Sequence, residues 1–340
     1  MCWPAPKAPP AGSTCFDLYN EKVTTTSEEL LKKRVLFREL FDQKALQAAD
    51  FHAAQGPSWG RRLKRAWTLN FRYVHYLFCR FVIPESAKAR VFWGKKYFWG
   101  RPEHSTSMYL YGVLEHEAEV RLTRFLIRTL EDDDVFFDLG ANFGFYSLLA
   151  SEFIKSGRIC SFEPVPFVFE GLSKNAAASG KINAVNCAVS DRIGVLDFNQ
   201  APECRHTGSS FDEASFRAPG TPPKFAFTQI KVRTTTVDEF RAQNGLVPTV
   251  IKIDVEGAEK LVISGARETL ASASLTVILE VLKPPFNNSI HRDATRMLQE
   301  LGYQPHAITD DGGLRPLDSA ALEEEFSTGA DANLVFRKPR

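Results

Sequence analysis

Residues 135–144, Val-Phe-Phe-Asp-Leu-Gly-Ala-Asn-Phe-Gly, constrain the fold more than any other stretch of the chain. An apolar run ends in Asp138 and breaks into a loop of small residues before a second apolar segment. That is how a buried parallel strand carries a carboxylate to the carboxyl end of a sheet. Gly140 and Gly144 would allow close approach of a ligand, and a helix starting near Phe145 would turn its unpaired N–H groups toward the same spot. The pattern points to a nucleotide-like ligand.

The glycine spacing is Gly-x-x-x-Gly, so the Gly-x-Gly-x-x-Gly dinucleotide fingerprint is absent and no pyrophosphate grip is indicated. The next strand, Arg158-Ile-Cys-Ser-Phe-Glu163, ends in an acid 25 positions after Asp138, where a doubly wound fold places the carboxylate that takes two ribose hydroxyls. Two strand-end carboxylates repel phosphates and attract a sulfonium or an ammonium. S-adenosylmethionine is an aminoacyl nucleoside of that kind.

Four segments occur in one order: Asp138-Leu-Gly-Ala-Asn-Phe-Gly144; Phe162-Glu-Pro164 with Asn175 downstream; Ala188-Val-Ser-Asp191; and Ile251-Lys-Ile-Asp-Val-Glu-Gly-Ala-Glu259. Together they resemble the FkbM family of S-adenosylmethionine-dependent methyltransferases, from about Tyr109 to Val281, with residues 1–100 outside the resemblance. The resemblance implies a Rossmann-like class I methyltransferase fold, an α/β architecture with a mostly parallel seven-stranded sheet and helices on both faces. It also implies O-methylation of a sugar, a glycolipid or a glycosylated metabolite, with S-adenosylhomocysteine as the product.

The chain of 340 residues has room for one large α/β domain and an appendage. We expect an N-terminal tip without fixed structure over 1–26, a helical basic and aromatic extension over 27–105, and the methyltransferase domain over 106–340. The formal net charge of +1 gives no reason to expect nucleic acid. Six scattered cysteines form no Cys-x-x-Cys, which suits reduced thiols and a cytoplasmic protein and offers zinc no site. Residues 61–101 are different, with eleven Lys or Arg against the single acid Glu85, and eleven aromatic residues. This mixture suits peripheral contact with an anionic membrane. The alternative is that Trp67, Phe71, Val74, Phe78 and Phe81, one stripe of a helix expected over 61–83, pack on the catalytic domain.

Strand-like runs at 135–138, 158–163, 182–189, 249–254, 275–280, 303–309 and 332–336 alternate with helical segments at 115–130, 145–155, 166–179, 256–271 and 291–301. A hairpin of 193–199 and 226–233 frames a loop at 201–225, which would lie on the acceptor side.

Methyl transfer from a sulfonium needs an oriented acceptor and a base for its proton. Lys252 and Asp254 share one face of their strand, and Asp254 falls at its carboxyl end, with Glu256 following at a helix N-terminus. Glu280 ends the neighbouring strand. Asp254, Glu256 and Glu280 are therefore candidate catalytic acids, and His206 in the acceptor-side loop is a further candidate base; His291 is a weaker one. Asp254 could instead cap its helix, and Glu259 is expected on that helix's surface. A divalent cation held by Asp254, Glu256 and Glu280 is the lesser reading, since oxygen ligands favour magnesium or calcium. Cofactor contacts are assigned to Asp138, Gly140, Ala141, Asn142, Gly144, Glu163 and Pro164. Ala188 and Val189 would lie beside the adenine, while Phe143 and Phe145 would pack against the sheet. Two rivals remain: a non-catalytic adenosine-binding module, and an NAD-dependent oxidoreductase, which would require the missing fingerprint.

Overall fold

The structure, a computed structural model, describes residues 27–53, 88–100, 106–200, 227–282, 288–327 and 332–339. The helix expected over 61–83, the acceptor-side loop with His206 and the Pro284-Pro285 turn lie outside these residues.

Helix α1 (Ser27–Ala53) begins with Glu28 and Glu29 in its first turn, where the positive end of the helix dipole favours acids. It buries Phe37, Phe41 and Ala48 and leaves Leu31, Val35 and Leu46 exposed. Within the span expected to be helical, strands β1 (Lys88–Arg90) and β2 (Lys96–Phe98) form an antiparallel hairpin. Gly94, at φ 95°, makes its turn possible. Helices α2 (Thr106–Tyr111) and α3 (Glu117–Thr129) then lead into the sheet.

From there strands and helices alternate: β3 (Val135–Leu139), α4 (Phe145–Phe153), β4 (Arg158–Phe162), α5 (Pro166–Ser179), β5 (Ile182–Val185) and β6 (Ala188–Val189). The expected hairpin follows as β7 (Gly194–Gln200) and β8 (Thr228–Thr235), paired antiparallel from Gly194↔Thr234 to Gln200↔Thr228. After α6 (Val237–Asn244) and β9 (Val250–Ile253), the single helix expected over 256–271 is two, α7 (Glu259–Ser264) and α8 (Arg267–Ser272). The break is at Gly265, where a Cβ would sit 2.1 Å from the Ser190 carbonyl oxygen. Asp238 of α6 accepts the Glu268 and Thr269 N–H groups and so restarts the helix. The chain ends with β10 (Thr276–Val281), α9 (Ser289–Glu300), β11 (Gln304–Ile308), β12 (Leu314–Pro316), α10 (Ser319–Ser327) and β13 (Ala332–Arg337).

The large sheet has the order β12-β11-β13-β10-β9-β3-β4-β5. It has eight strands where seven were expected, because β12 adds a short antiparallel edge to β11. Strands β10, β9, β3, β4 and β5 are mutually parallel, and β13 runs antiparallel between β10 and β11. This is the expected Rossmann-like α/β architecture. The chain moves outward from β3 to β4 and β5, then returns to place β9 on the other side of β3. Such a reversal opens a crevice at the carboxyl ends of β3 and β9.

Both faces of the sheet are buried. Phe136, Ile159, Val250 and Ile278 enter one apolar cluster with residues of α1 to α5, whereas Phe137, Cys160, Ile251 and Val277 enter a second with residues of α6 to α10. Helix α1 is thus packed into the same core as the sheet, and Arg124 of α3 pairs with Asp42 of α1 at 2.8 Å. Cys160 and Cys187 are free and buried, and burial pushes both thiols up to about 11. Among the described residues no helix is long and apolar enough to cross a membrane.

Candidate active site

The strand period that sends Phe137 and Leu139 to one face turns Asp138 to the other, where its register partners are Ser161 of β4 and Lys252 of β9. A polar row therefore crosses the middle of the core. Asp138 Oδ2 accepts from Ser147 Oγ of α4 at 2.5 Å, and Oδ1 has no hydrogen-bond partner. Burial raises the Asp138 pKa, against the pull of the Lys252 ammonium and the Ser147 bonds.

The loop after β3 is held by its own N–H groups. Gly140 and Ala141 both donate to the Phe162 carbonyl, at 3.1 and 2.9 Å, Asn142 donates to Glu163 Oε2 at 3.1 Å, and Gly144 donates to the Ala141 carbonyl at 2.8 Å. Asn142 sits at φ 52°, and its side-chain oxygen accepts the Phe143 N–H, so the amide serves the loop itself. A side chain at either glycine would run into the chain itself. A Cβ on Gly140 would lie 1.7 Å from the Asp254 carbonyl oxygen, and one on Gly144 would lie 2.7 Å from Leu172. Both have positive φ, so glycine is required for the chain path. The first turn of α4, expected to present free N–H groups, directs that of Ser147 to Asp138.

Glu163, just past β4, accepts from Asn142 on one oxygen and from the Val165 N–H at 2.9 Å on the other. Burial nonetheless pushes its carboxyl up to about 7. Asn175 of α5 clamps the same loop, donating to the Phe98 and Phe143 carbonyls and accepting the Phe98 N–H at 2.7 Å. Phe143 and Phe145 do pack, against Phe98, Trp99 and Trp93 of the hairpin region. Pro164 is partly buried, and Ala188 and Val189 are buried on β6.

On the other side of the crevice Lys252, 2% exposed, hydrogen-bonds Asp254 Oδ2 at 2.8 Å and lies 3.8 Å from Asp138 Oδ1. Burial alone would lower its pKa; Asp254, Asp138 and Glu119 reverse this and raise it. Asp254 is hydrogen-bonded to Glu280. Although burial opposes ionisation, Lys252 and the Glu280 hydrogen bond hold Asp254 below the usual carboxylate range, whereas burial and the Asp254 charge push Glu280 well up. Glu256 adopts φ 56° and its charge adds to the pressure on Glu280. The structure thus brings Asp254, Glu256 and Glu280 together. His206 lies outside the described residues.

Two members of this group carry no local sequence signal. Glu119 of α3 accepts the Tyr146 hydroxyl, and its carboxyl is raised by burial against the pull of Lys252. The Tyr146 ring in turn receives the Lys252 ammonium 5.2 Å from its centroid. A contact between residues this far apart in sequence is visible only in the folded chain. Glu259, expected on the helix surface, is instead fully buried. It accepts the Gly257 N–H and faces His291 Nδ1 at 3.7 Å, because α9 packs over α7. Among the described residues, no three His, Cys, Asp or Glu groups are placed to hold a metal ion.

Residues 138–305 match the family described as the Methyltransferase FkbM domain. The hexuronic acid methyltransferase AglP of Haloferax volcanii is 26% identical over 199 residues, covering 56% of this chain and 72% of that protein. The 2-O-methyltransferase NoeI of Sinorhizobium fredii is 27% identical over 167 residues, covering 47% and 68%. The crystal structure of Methyltransferase FkbM from Methylobacillus flagellatus aligns with 61% of this chain and 44% of its own at 15% identity, with a TM-score of 0.39. The oxidoreductase and non-catalytic readings give way to the match, and residues 138–305 belong to the FkbM family of S-adenosylmethionine-dependent methyltransferases.

Proposed function

We propose that this protein transfers a methyl group from S-adenosylmethionine to a hydroxyl oxygen of a sugar, a glycolipid or a glycosylated metabolite, with Asp254 as the base. The observation that carries this reading is the Asp254–Glu280 pair at the carboxyl end of β9 and β10, beside the β3 loop. AglP acts on a hexuronic acid and NoeI at a 2-O position, which supports a carbohydrate hydroxyl as the acceptor class.

The residues fit the cofactor. Asp138 keeps one buried oxygen without a hydrogen-bond partner, suited to an ammonium, and Glu163 would take two ribose hydroxyls. Pro164, Ala188 and Val189 would border the adenine, with Gly140, Ala141, Asn142 and Gly144 forming the wall of the loop. When bound, the cofactor supplies a methyl group activated on sulfur. The protein's part is then to place the acceptor oxygen in line and take its proton. Asp254 is ionised and can do this although Lys252 makes it a weak base, because a hydroxyl becomes strongly acidic as its oxygen gains the methyl. The proton passes to Asp254, and Glu280 already holds one and stays neutral.

Calorimetry with S-adenosylhomocysteine and with NAD tests the cofactor. Mass-spectrometric comparison of glycans and lipids from cells with and without the protein tests the acceptor: a 14 Da difference on a carbohydrate is expected. Methyl transfer confined to nitrogen or carbon would overturn the reading.

A further inference from the structure

Lys252 is placed by its strand. In β9 it pairs with Asp138 of β3 on one side and with Ile278 of β10 on the other, facing the cluster that holds α3 and α4. If that row needed only apolar packing, a branched aliphatic residue would fill it at no electrostatic cost. If the lysine served only to balance Asp138, its ammonium would satisfy Asp138 Oδ1. It does not: that oxygen lacks a hydrogen-bond partner, 3.8 Å away, while the ammonium bonds Asp254 at 2.8 Å. Asp254 is the less buried of the two, with a side chain 25% exposed against 1% for Asp138.

Resting on the function proposed above, we propose that Lys252 is the positioning residue for the acceptor-side carboxylate. Its ammonium, supported from below by Asp138 and by the Tyr146 ring, holds Asp254 in one orientation at the mouth of the crevice. The acceptor hydroxyl then meets a fixed, charged oxygen. Glu119 completes the support by fixing the Tyr146 hydroxyl, which ties α3, a helix ahead of the matched residues 138–305, to the geometry of the site. The groups whose charges act with that of Asp254 are Lys252 of its own strand, Glu119 of α3, Asp138 of β3, Tyr146 of α4, Glu163 past β4, Glu280 of β10 and His291 of α9. Lys252 is the cation among them whose hydrogen bond to Asp254 is present.

The test compares full-length wild type with Lys252→Met, Lys252→Gln and Lys252→Arg. The Asp254 carboxyl is followed by carbon-13 NMR against an Asp254→Asn reference, alongside S-adenosylhomocysteine affinity and the pH dependence of kcat/KM. In Lys252→Met or Lys252→Gln, the Asp254 carboxyl should titrate about one pH unit or more higher, and the acid limb of kcat/KM should move up with it. The rate should drop about 30-fold or more at neutral pH, S-adenosylhomocysteine affinity should stay within about threefold, and Lys252→Arg should recover part of the titration shift. A merely structural lysine predicts lower thermal stability with an unmoved Asp254 titration and unchanged kcat/KM per folded molecule, which would overturn the proposal. Should Met and Gln prevent folding, the nitrogen-15 resonance of the Lys252 ammonium in Asp254→Asn replaces them: a shift from wild type is expected, and a resonance that ignores the loss of the carboxylate would overturn the proposal as well. The NMR titration needs neither cofactor nor acceptor. A wild type that methylates no hydroxyl therefore refutes the function above, while an active wild type whose Asp254 ignores Lys252 refutes only the positioning role.

Discussion

The Asn142 backbone N–H donates to Glu163 Oε2 at 3.1 Å, so the acid at the end of β4 closes the loop that follows β3. The same carboxylate takes the Val165 N–H. Glu163 is thus a structural part of the crevice before any ligand reaches it. Replacing it by Ala would remove the charge-assisted bonds proposed to the ribose, each worth about 1.5–3 kcal/mol, and would free the loop. The affinity for S-adenosylhomocysteine should fall at least about tenfold, measured by calorimetry. Unchanged affinity would remove Glu163 from the cofactor site.

Because burial pushes Glu163 up to about 7, cofactor affinity should depend on pH. Hydrogen bonds donated by ribose hydroxyls favour the ionised carboxylate, so binding must expel the proton that the free protein holds below that value. Affinity should rise with pH and be about tenfold weaker at pH 6 than at pH 8, a dependence that Glu163→Gln abolishes. The linked effect on the free protein has the opposite direction. The folded state holds this proton more tightly than the unfolded chain, so the contribution of Glu163 to stability is present at low pH and is lost as pH rises through about 7.

Asp254→Asn keeps the shape of the residue but removes the proposed base. Cofactor affinity and fold should persist, while methyl transfer slows by about two to four orders of magnitude. Transfer of labelled methyl to the identified acceptor measures this, and near-normal turnover would exclude Asp254 as the base.

Asn175 joins three elements with three buried bonds, to Phe98 N, Phe98 O and Phe143 O. Asn175→Ala leaves one donor and two acceptors without partners, at a cost of about 2–4 kcal/mol. Urea denaturation should show that loss, together with weaker cofactor binding, since the Phe143 carbonyl belongs to the loop.

Much of this was readable along the chain. The run from Val135 through Gly144 predicts strand, loop and helix because each depends on neighbours: apolar residues for a strand buried on both faces, then glycines where φ must be positive. Strand ends at Asp138, Glu163, Asp254 and Glu280 followed from the same local punctuation. The β7–β8 hairpin did too, while the hairpin at 88–98 did not, because its aromatic and basic residues also suit a helix face.

Strand periodicity placed Lys252 and Asp254 on one side of β9, yet it could not say what waits on that side. That was decided by packing: α3 brings Glu119 to Tyr146, and β10 brings Glu280 to Asp254. Glu259 was misplaced for the same reason, since a helix pattern shows which residues share a face and not whether α9 will cover it. The chain's own chemistry thus specified the strands, the turns and which acids end them. The protonation states and partnerships of those acids arise from desolvation and from charges on elements distant in sequence, and only the folded molecule brings these together.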